Sequence, residues 1–544
     1  MRRSSCADSS RSLTPSARTD VTPRADLWAM VSAALGEHSE RPALAYGDAG
    51  LTFGELAVAA DRLADALAVA PGERVVIVAP NVPALVVAMI AAWRADAVAV
   101  PLTARLRGFE LARVLADAEP VAVVSVTAHA GFPVADELRM LAGSTLSLRT
   151  AIVVDELGEL THRWRRPQPG PGDGDGAGDA EPSTQPPPVA ILYTSGTTGE
   201  PKGALVSSGL AVAMAHNLAE VLGEDAGAPY GLVVPASHAF GLGCLLAGIL
   251  AGGAAVLVDA TASLDPLLRA LDRHDARVLH GSPALFGRLL RSRAELSLRT
   301  GFTAGSLCPP DTLQSLDRRS VRVLNLYGMT EIGAAVCCRR DDPAQVRYHT
   351  VGRPLAGYEL RIADSVPAAV GAPAATAAVG APAGPDAVGE IQVRSRHLTR
   401  GYHRRPWTEA DAAGDWFRTG DLGTIDSAGN LTISGRAKEV VHVGGFNVFP
   451  AEVESFLLTN PAIAQAAVIG VEHPVLGEAL RAFVAPVPGA SLQPRDVIKF
   501  ARAGIAGYKV PYAVQIVDEL PLLASGKPDR RELARTAEPQ AAVR

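Results

Sequence analysis

The chain has 544 residues, 48% of them apolar and 20% charged, with a formal net charge of -6. That length exceeds what one hydrophobic core sustains, so more than one folding unit is expected, with buried volume enough for a deep pocket. The charge balance leaves no broad cationic surface for a polyanion, which excludes nucleic acid as a partner. The five cysteines (Cys6, Cys244, Cys308, Cys337, Cys338) show no zinc-like or CxxC spacing, so neither a metal cage nor a disulfide framework is expected and a reducing cytoplasm fits best.

Residues 1–24 are Ser- and Arg-rich without an apolar core, which reads as a disordered tail and not a secretory signal. From Ala25 onward, β-prone runs alternate with helical patterns, the signature of parallel sheets joined by crossover helices. Thr52 and Glu55 stand at capping-box spacing ahead of Leu56, Leu63 and Leu67, so a helix facing a sheet starts there. A strand over Arg74–Ala79, a helix over 83–93 and a strand over 97–100 complete a βαβ unit. Residues 167–188 and 366–388, rich in Pro, Gly, Asp and Ala, read as flexible surface loops. The apolar run 241–258 reaches membrane-span length, but Gly252 and Gly253 divide it into a buried helix and a buried strand, so no stable membrane insertion is expected. No internal repeat is apparent.

The segment 193–204, YTSGTTGEPKGA, follows a strand-like run at 189–192 and precedes a helical pattern starting near Ser208. Gly196 and Gly199 free the backbone to turn N–H groups toward an anion, Ser195, Thr197 and Thr198 add hydroxyls, and Lys202 adds a positive charge, so the segment reads as a phosphate loop. It is not a Walker loop, because Pro201 precedes the lysine and Gly203 follows it. Five further motifs follow in order: Tyr327-Gly328-Met329-Thr330-Glu331, Thr419-Gly420-Asp421, Gly435-Arg436-Ala437-Lys438, Gly444-Gly445-Phe446-Asn447 and Ser525-Gly526-Lys527. An apolar strand over 321–326 would deliver Thr330 and Glu331 to a strand end, where open α/β sheets place ligands.

Together these segments resemble the adenylate-forming superfamily of acyl- and aryl-CoA synthetases, adenylation domains and luciferase, over residues 25–535. The resemblance implies an α/β fold: a large N-terminal domain (25–436) of stacked α/β sheets with a β-barrel-like subdomain, then a small mobile α+β C-terminal domain (437–535) and a tail (536–544). It implies ATP contacts by Thr194, Ser195, Gly196, Thr197, Thr198, Gly199, Lys202, Gly305, Asn325, Tyr327, Gly328, Met329, Thr330, Asp421, Arg436 and Lys527. It further implies Mg²⁺ at Glu331 and Thr198, a hinge at Lys438 and a coenzyme A tunnel along Gly444 and Gly445. By the same resemblance Lys527, Thr330, Glu331, His238 and Lys202 act in catalysis, with Lys527 supplying charge to the transition state. Pro528 departs from the family pattern, in which an apolar residue bearing an N–H commonly follows this lysine.

His238 matches the position beside the acyl carboxylate, and Ala239, Phe240, Gly305, Ile332, Gly333 and Ala334 make an apolar surround for an uncharged acyl or aryl tail. No Asp between Pro235 and Val258 is available to pair with an ammonium, so α-amino acids are disfavoured. The resulting expectation is an ATP-dependent acid–thiol ligase that forms an acyl-AMP, releases pyrophosphate and passes the acyl group to coenzyme A. The alternatives are a ligase loading a free-standing acyl carrier protein in trans, adenylation of another oxyanion such as nitrite, and a non-catalytic nucleotide-binding homologue.

Overall fold

The computed structural model describes residues 26–537 apart from 107, 130–132, 143–144, 146, 166–185, 196–200, 259–263, 293–296, 364–387, 400, 409–410, 444–445, 474–475, 506 and 524–526. The expected N-terminal tail, most of both low-complexity loops and all but the start of the C-terminal tail therefore lie outside the described residues.

Two nine-stranded mixed sheets, each with a parallel centre and antiparallel margins, form the larger part of the described chain. One has Val98–Thr103, Arg74–Ala79, Ala122–Val126 and Thr150–Val154 at its centre; the other centres on Arg322–Met329, Thr300–Thr303, Val278–His280, Tyr230–Leu232 and Ala255–Leu257. A single apolar cluster draws on strands of both sheets and on the helices Phe53–Leu67, Pro83–Arg94, Ser208–Leu222 and Ala239–Ala251. The sequence of Pro83–Arg94 explains its place: it is apolar all round, and every residue from Pro83 to Trp93 is buried, as a helix covered on all sides requires. A third sheet of five strands contains Gly389–Arg394, Trp416–Ile425 and Leu431–Arg436. A fourth, with Gly477–Pro486 and Ile463–His473 paired along their length, has its own apolar clusters built only from residues Val441 onward.

Local expectations hold where local chemistry decides. Thr52 N–H donates to Glu55 Oε2 at 2.8 Å and Glu55 N–H to Thr52 Oγ1 at 3.1 Å, a complete capping box. The strand Arg74–Ala79 is as expected; the helix after it runs one residue further, to Arg94, and the next strand is Val98–Thr103. The apolar run divides at Gly252, whose φ of +68° ends the helix Ala239–Ala251 in the left-handed region before the strand Ala255–Leu257. No helix among the described residues is long and apolar enough to cross a membrane. Cys244, Cys308, Cys337 and Cys338 are buried and free.

The phosphate segment differs in form from a strand, loop and helix. Ala190–Ser195 doubles back as a second strand, Pro201–Val206, with Thr194 opposite Lys202. The β-prone Ala204–Leu205–Val206 finds a backbone partner there, and the helix begins only after the cap Ser207. Lys202 thus stands on a strand at the root of a hairpin whose tip, 196–200, lies outside the described residues.

His280 is fully buried in the second sheet, stacked on Phe302 at 5.2 Å and accepting from the Phe302 N–H at 3.3 Å through Nδ1. Burial drives its pKa from 6.5 down to about 3. The folded state therefore stays unprotonated where the unfolded chain takes up a proton, so the cost to stability is absent above about 6.5, grows as pH falls and levels off near 3. Urea unfolding of His280→Asn should show a pH dependence shallower than wild type by about 1.4 kcal/mol per pH unit in that window. Equal slopes would contradict this assignment.

Candidate active site

The site forms where strand ends of the first two sheets meet the third sheet and the C-terminal loop. Asp421, on Trp416–Ile425, is buried and lies opposite Arg436 in the register with Leu431–Arg436. Its Oδ2 accepts from the Tyr327 hydroxyl at 2.8 Å, its Oδ1 faces Arg436 Nε at 2.9 Å, and its backbone N–H donates to Thr419 Oγ1 at 3.0 Å. Burial raises the Asp421 pKa, while Arg436, the Tyr327 hydroxyl and Lys527 pull it back down. The result is a fixed carboxylate at a cleft edge, suited to accepting hydrogen bonds from a pair of hydroxyls.

Lys527 is close enough for its charge to be felt at Asp421. Its pKa is lowered, first by burial and then by the Arg436 cation, against the opposing pull of Asp421 and Glu439. The residue is exposed overall, so solvent damps these effects. Its charge also acts on His238. The loop carrying it is closed at its base by the Leu523 N–H donating to the Lys527 carbonyl at 2.8 Å and the Asp529 N–H donating to the Pro521 carbonyl at 2.8 Å. Pro528 pairs with Leu522 in this closure, so the departure from the family pattern is accommodated. Ser525 and Gly526 lie outside the described residues.

His238 caps the helix Ala239–Ala251, and its Nε2 is buried with no hydrogen-bond partner among the described residues, as is the Oγ of Ser237. Burial first and the Lys527 charge second lower its pKa, so the imidazole is neutral at neutral pH. An unsatisfied buried polar atom beside a cleft is the group a bound ligand satisfies. Ile332 and Ala334 are buried, Ala239 and Phe240 half-buried, all in one apolar cluster. Gly333 has φ +66°, and a Cβ there would lie 2.8 Å from Met214 Sδ and 2.9 Å from Leu210 Cδ1. Gly305, at φ +92°, has nothing within 4 Å of a Cβ position and borders open space.

Glu331 follows the strand Arg322–Met329, together with Thr330, and is buried. Its Oε1 accepts from the Tyr402 hydroxyl at 2.8 Å. The Tyr402 ring lies under Lys202 Nζ at 5.5 Å. Burial and the Glu331 carboxylate raise the Tyr402 pKa well above its ordinary value, so the phenol remains a donor. Asn325 is committed to structure: its amide donates to the carbonyls of Arg347 at 3.0 Å and Thr350 at 2.9 Å.

The chain thus gathers His238, Asp421, Arg436 and Lys527 into one electrostatic neighbourhood, with Glu331, Tyr402 and Lys202 forming a second group. Gly196, Thr197, Thr198, Gly199, Gly444 and Gly445 lie outside the described residues, as do the side chains of Thr194, Ser195 and Lys438. Sequence reasoning missed Tyr402, Glu439 and Arg530. Arg530 grips both oxygens of Glu454, at 2.6 and 3.2 Å, and approaches Glu439 at 3.4 Å, fixing the Lys527 loop against the segment around Lys438. No spacing pattern marks these three, because their partners are remote in sequence.

The family model described as AMP-binding enzyme matches residues 31–403, and that described as AMP-binding enzyme C-terminal domain matches 452–527. The chain belongs to the AMP-binding enzyme family. It is 34% identical over 490 residues to the 3-[(3aS,4S,7aS)-7a-methyl-1,5-dioxo-octahydro-1H-inden-4-yl]propanoyl:CoA ligase of Mycobacterium tuberculosis, covering 86% of this chain and 90% of that one. It is 31% identical to the feruloyl-CoA synthase of an Amycolatopsis species, over 93% of this chain and 98% of the relative. Among solved structures, ATP-bound MatB from Rhodopseudomonas palustris superposes with a TM-score of 0.77 at 26% identity, over 94% of this chain and 98% of that one.

Gly333→Ala, with its strained φ and two close side chains, should lower stability by about 1–3 kcal/mol in urea unfolding. An unchanged unfolding free energy would show that Met214 and Leu210 do not enclose this position.

Proposed function

We propose that this chain is an ATP-dependent ligase that activates a carboxylic acid as its acyl-AMP, releases pyrophosphate and transfers the acyl group to coenzyme A. The observation that carries the reading is the match of residues 31–403 and 452–527 to the two AMP-binding enzyme models, together with the buried Asp421 carboxylate held by Tyr327 and Arg436. The relatives support the second half, since those of Mycobacterium tuberculosis and Amycolatopsis are named as CoA ligase and CoA synthase, which favours coenzyme A over a carrier protein or nitrite. Their acids are ring-bearing, and the apolar surround of Phe240, Ile332, Gly333 and Ala334 suits an uncharged, bulky tail.

In the first half-reaction a substrate carboxylate oxygen attacks the α-phosphorus of ATP and pyrophosphate leaves in line. Asp421 holds the ribose hydroxyls, Thr330 donates toward the α-phosphate, and Lys527 offers fixed positive charge where the transition state gathers negative charge. Neutral His238 has a buried nitrogen without a hydrogen-bond partner among the described residues, placed to orient the acid. The donor set fits Mg²⁺ through a single carboxylate. Glu331 offers one buried carboxylate, which matches an ion that takes its other oxygens from phosphate and water. Mg²⁺ held at Glu331, with Thr198 as a further oxygen, would neutralise phosphate charge.

For the second half-reaction, a C-terminal unit beginning near 437 turns at Lys438, which withdraws Lys527 and opens a path along Gly444 and Gly445 for the thiol. The chain acts in the cytoplasm, where its acid, ATP and coenzyme A are available.

Lys527→Ala should abolish acyl-AMP formation, a barrier increase of about 3 kcal/mol or more, while thioester formation from supplied acyl-AMP persists. Equal loss of both halves would remove the assignment. Gly445→Trp should spare pyrophosphate release and block acyl transfer; full coenzyme A turnover would dispose of the tunnel. The reading as a whole is tested by pyrophosphate release over a panel of aryl and alicyclic acids, with and without coenzyme A. Release with no acid in the panel would contradict it.

A further inference from the structure

Glu331 and Tyr402 belong to different sheets. Glu331 follows the strand Arg322–Met329 of one nine-stranded sheet; Tyr402 lies on the two-residue strand Gly401–Tyr402 of the other, between the edge strand Arg405–Pro406 and the hairpin strand Pro201–Val206, where it pairs with Ala204. The His403 N–H donates to the Gly203 carbonyl at 2.6 Å, which secures that pairing. Both side chains are buried, Tyr402 at 9% and Glu331 at 7% exposure, and their 2.8 Å hydrogen bond is the one seen for the Glu331 carboxylate among the described residues. The bond takes Oε1 and leaves Oε2. The Tyr402 ring carries Arg405 at 4.8 Å as well as Lys202 at 5.5 Å. One phenol therefore touches the carboxylate of the nucleotide cleft through its hydroxyl and the phosphate-hairpin lysine through its ring.

The geometry points to Tyr402 as a positioning residue that presents the second oxygen of Glu331 to the divalent cation of the nucleotide and sets the distance between that carboxylate and Lys202. A ligating carboxylate whose other oxygen is held by a neutral donor keeps one rotamer, and loss of such an outer hydrogen bond weakens metal binding by about 10- to 100-fold. The two sheets meet here through this bond, so a cation held at Glu331 would lie beside the hairpin that carries Lys202. Tyr402 fixes that spacing before any nucleotide arrives.

This inference rests on the ligase reading, and the experiment separates the two. Tyr402→Phe keeps the ring and removes the hydroxyl. The midpoint of Mn²⁺ binding to the one-to-one complex with a non-hydrolysable ATP analogue, read by electron paramagnetic resonance, should rise about 10-fold or more. The Mg²⁺ concentration for half-maximal pyrophosphate release should rise in parallel. Introduced into Glu331→Gln, the same substitution should add nothing further. A folded Tyr402→Phe with an unchanged Mn²⁺ midpoint overturns the inference, as does an equal increase in the Glu331→Gln background, which would mean that Tyr402 acts elsewhere. Tyr402→Met serves in the same assay should the phenylalanine variant not fold. A wild-type chain that takes up no Mn²⁺ with the analogue overturns the ligase reading and this inference with it.

Discussion

A buried carboxylate has to be surrounded by donors, and Asp421 gathers much of the site by meeting that requirement. An unpartnered charge at its depth would cost several kcal/mol, so the fold brings it a phenol from Tyr327 and a guanidinium from Arg436. Tyr327 comes from the strand that Thr330 and Glu331 follow; Arg436 comes from the last strand before the C-terminal unit. Satisfying one carboxylate thus fixes the relation between the strand end proposed to face phosphate and the segment about which the C-terminal unit is proposed to turn. Lys527 completes the neighbourhood from the far end of the chain, where Arg530, clamped by Glu454 and near Glu439, holds its loop in place.

A second carboxylate, Glu331, plays the corresponding part between the two large sheets. Its tyrosine partner belongs to the sheet that carries the phosphate hairpin, so the hydrogen bond spans the seam along which the nucleotide is proposed to lie. Close packing frames Glu331, since Gly333, two residues on, leaves no room for a methyl group. Open space is kept at Gly305. Rigid walls with one open margin suit a reaction whose catalysis is mostly orientation and preorganised charge.

The elements most legible in sequence were those set by local chemistry. The capping box at Thr52 and Glu55, the strand Arg74–Ala79 and the break at Gly252 need no tertiary information, and each stands as expected. The residues proposed for the nucleotide site were named by resemblance, because their motifs keep residue type and order. Tyr402, Glu439 and Arg530 were not. Their partners lie at 331, 454 and 530 or beyond a sheet boundary, and an isolated Tyr, Glu or Arg has no periodicity to betray it. The phosphate hairpin was read as a loop for a related reason: Pro201–Val206 becomes a strand through its backbone partner Ala190–Ser195, and glycines and threonines between them hide that pairing.

The account depends on Lys527 and His238 sharing one site although nearly three hundred residues of chain separate them. Titrating the His238 imidazole by nuclear magnetic resonance, assigned by the signal lost in His238→Gln, in wild type and in Lys527→Met tests this directly. Removing the neighbouring cation should move the His238 pKa upward, since the lysine charge now holds it down. An identical titration in both proteins would place the lysine elsewhere and contradict the account.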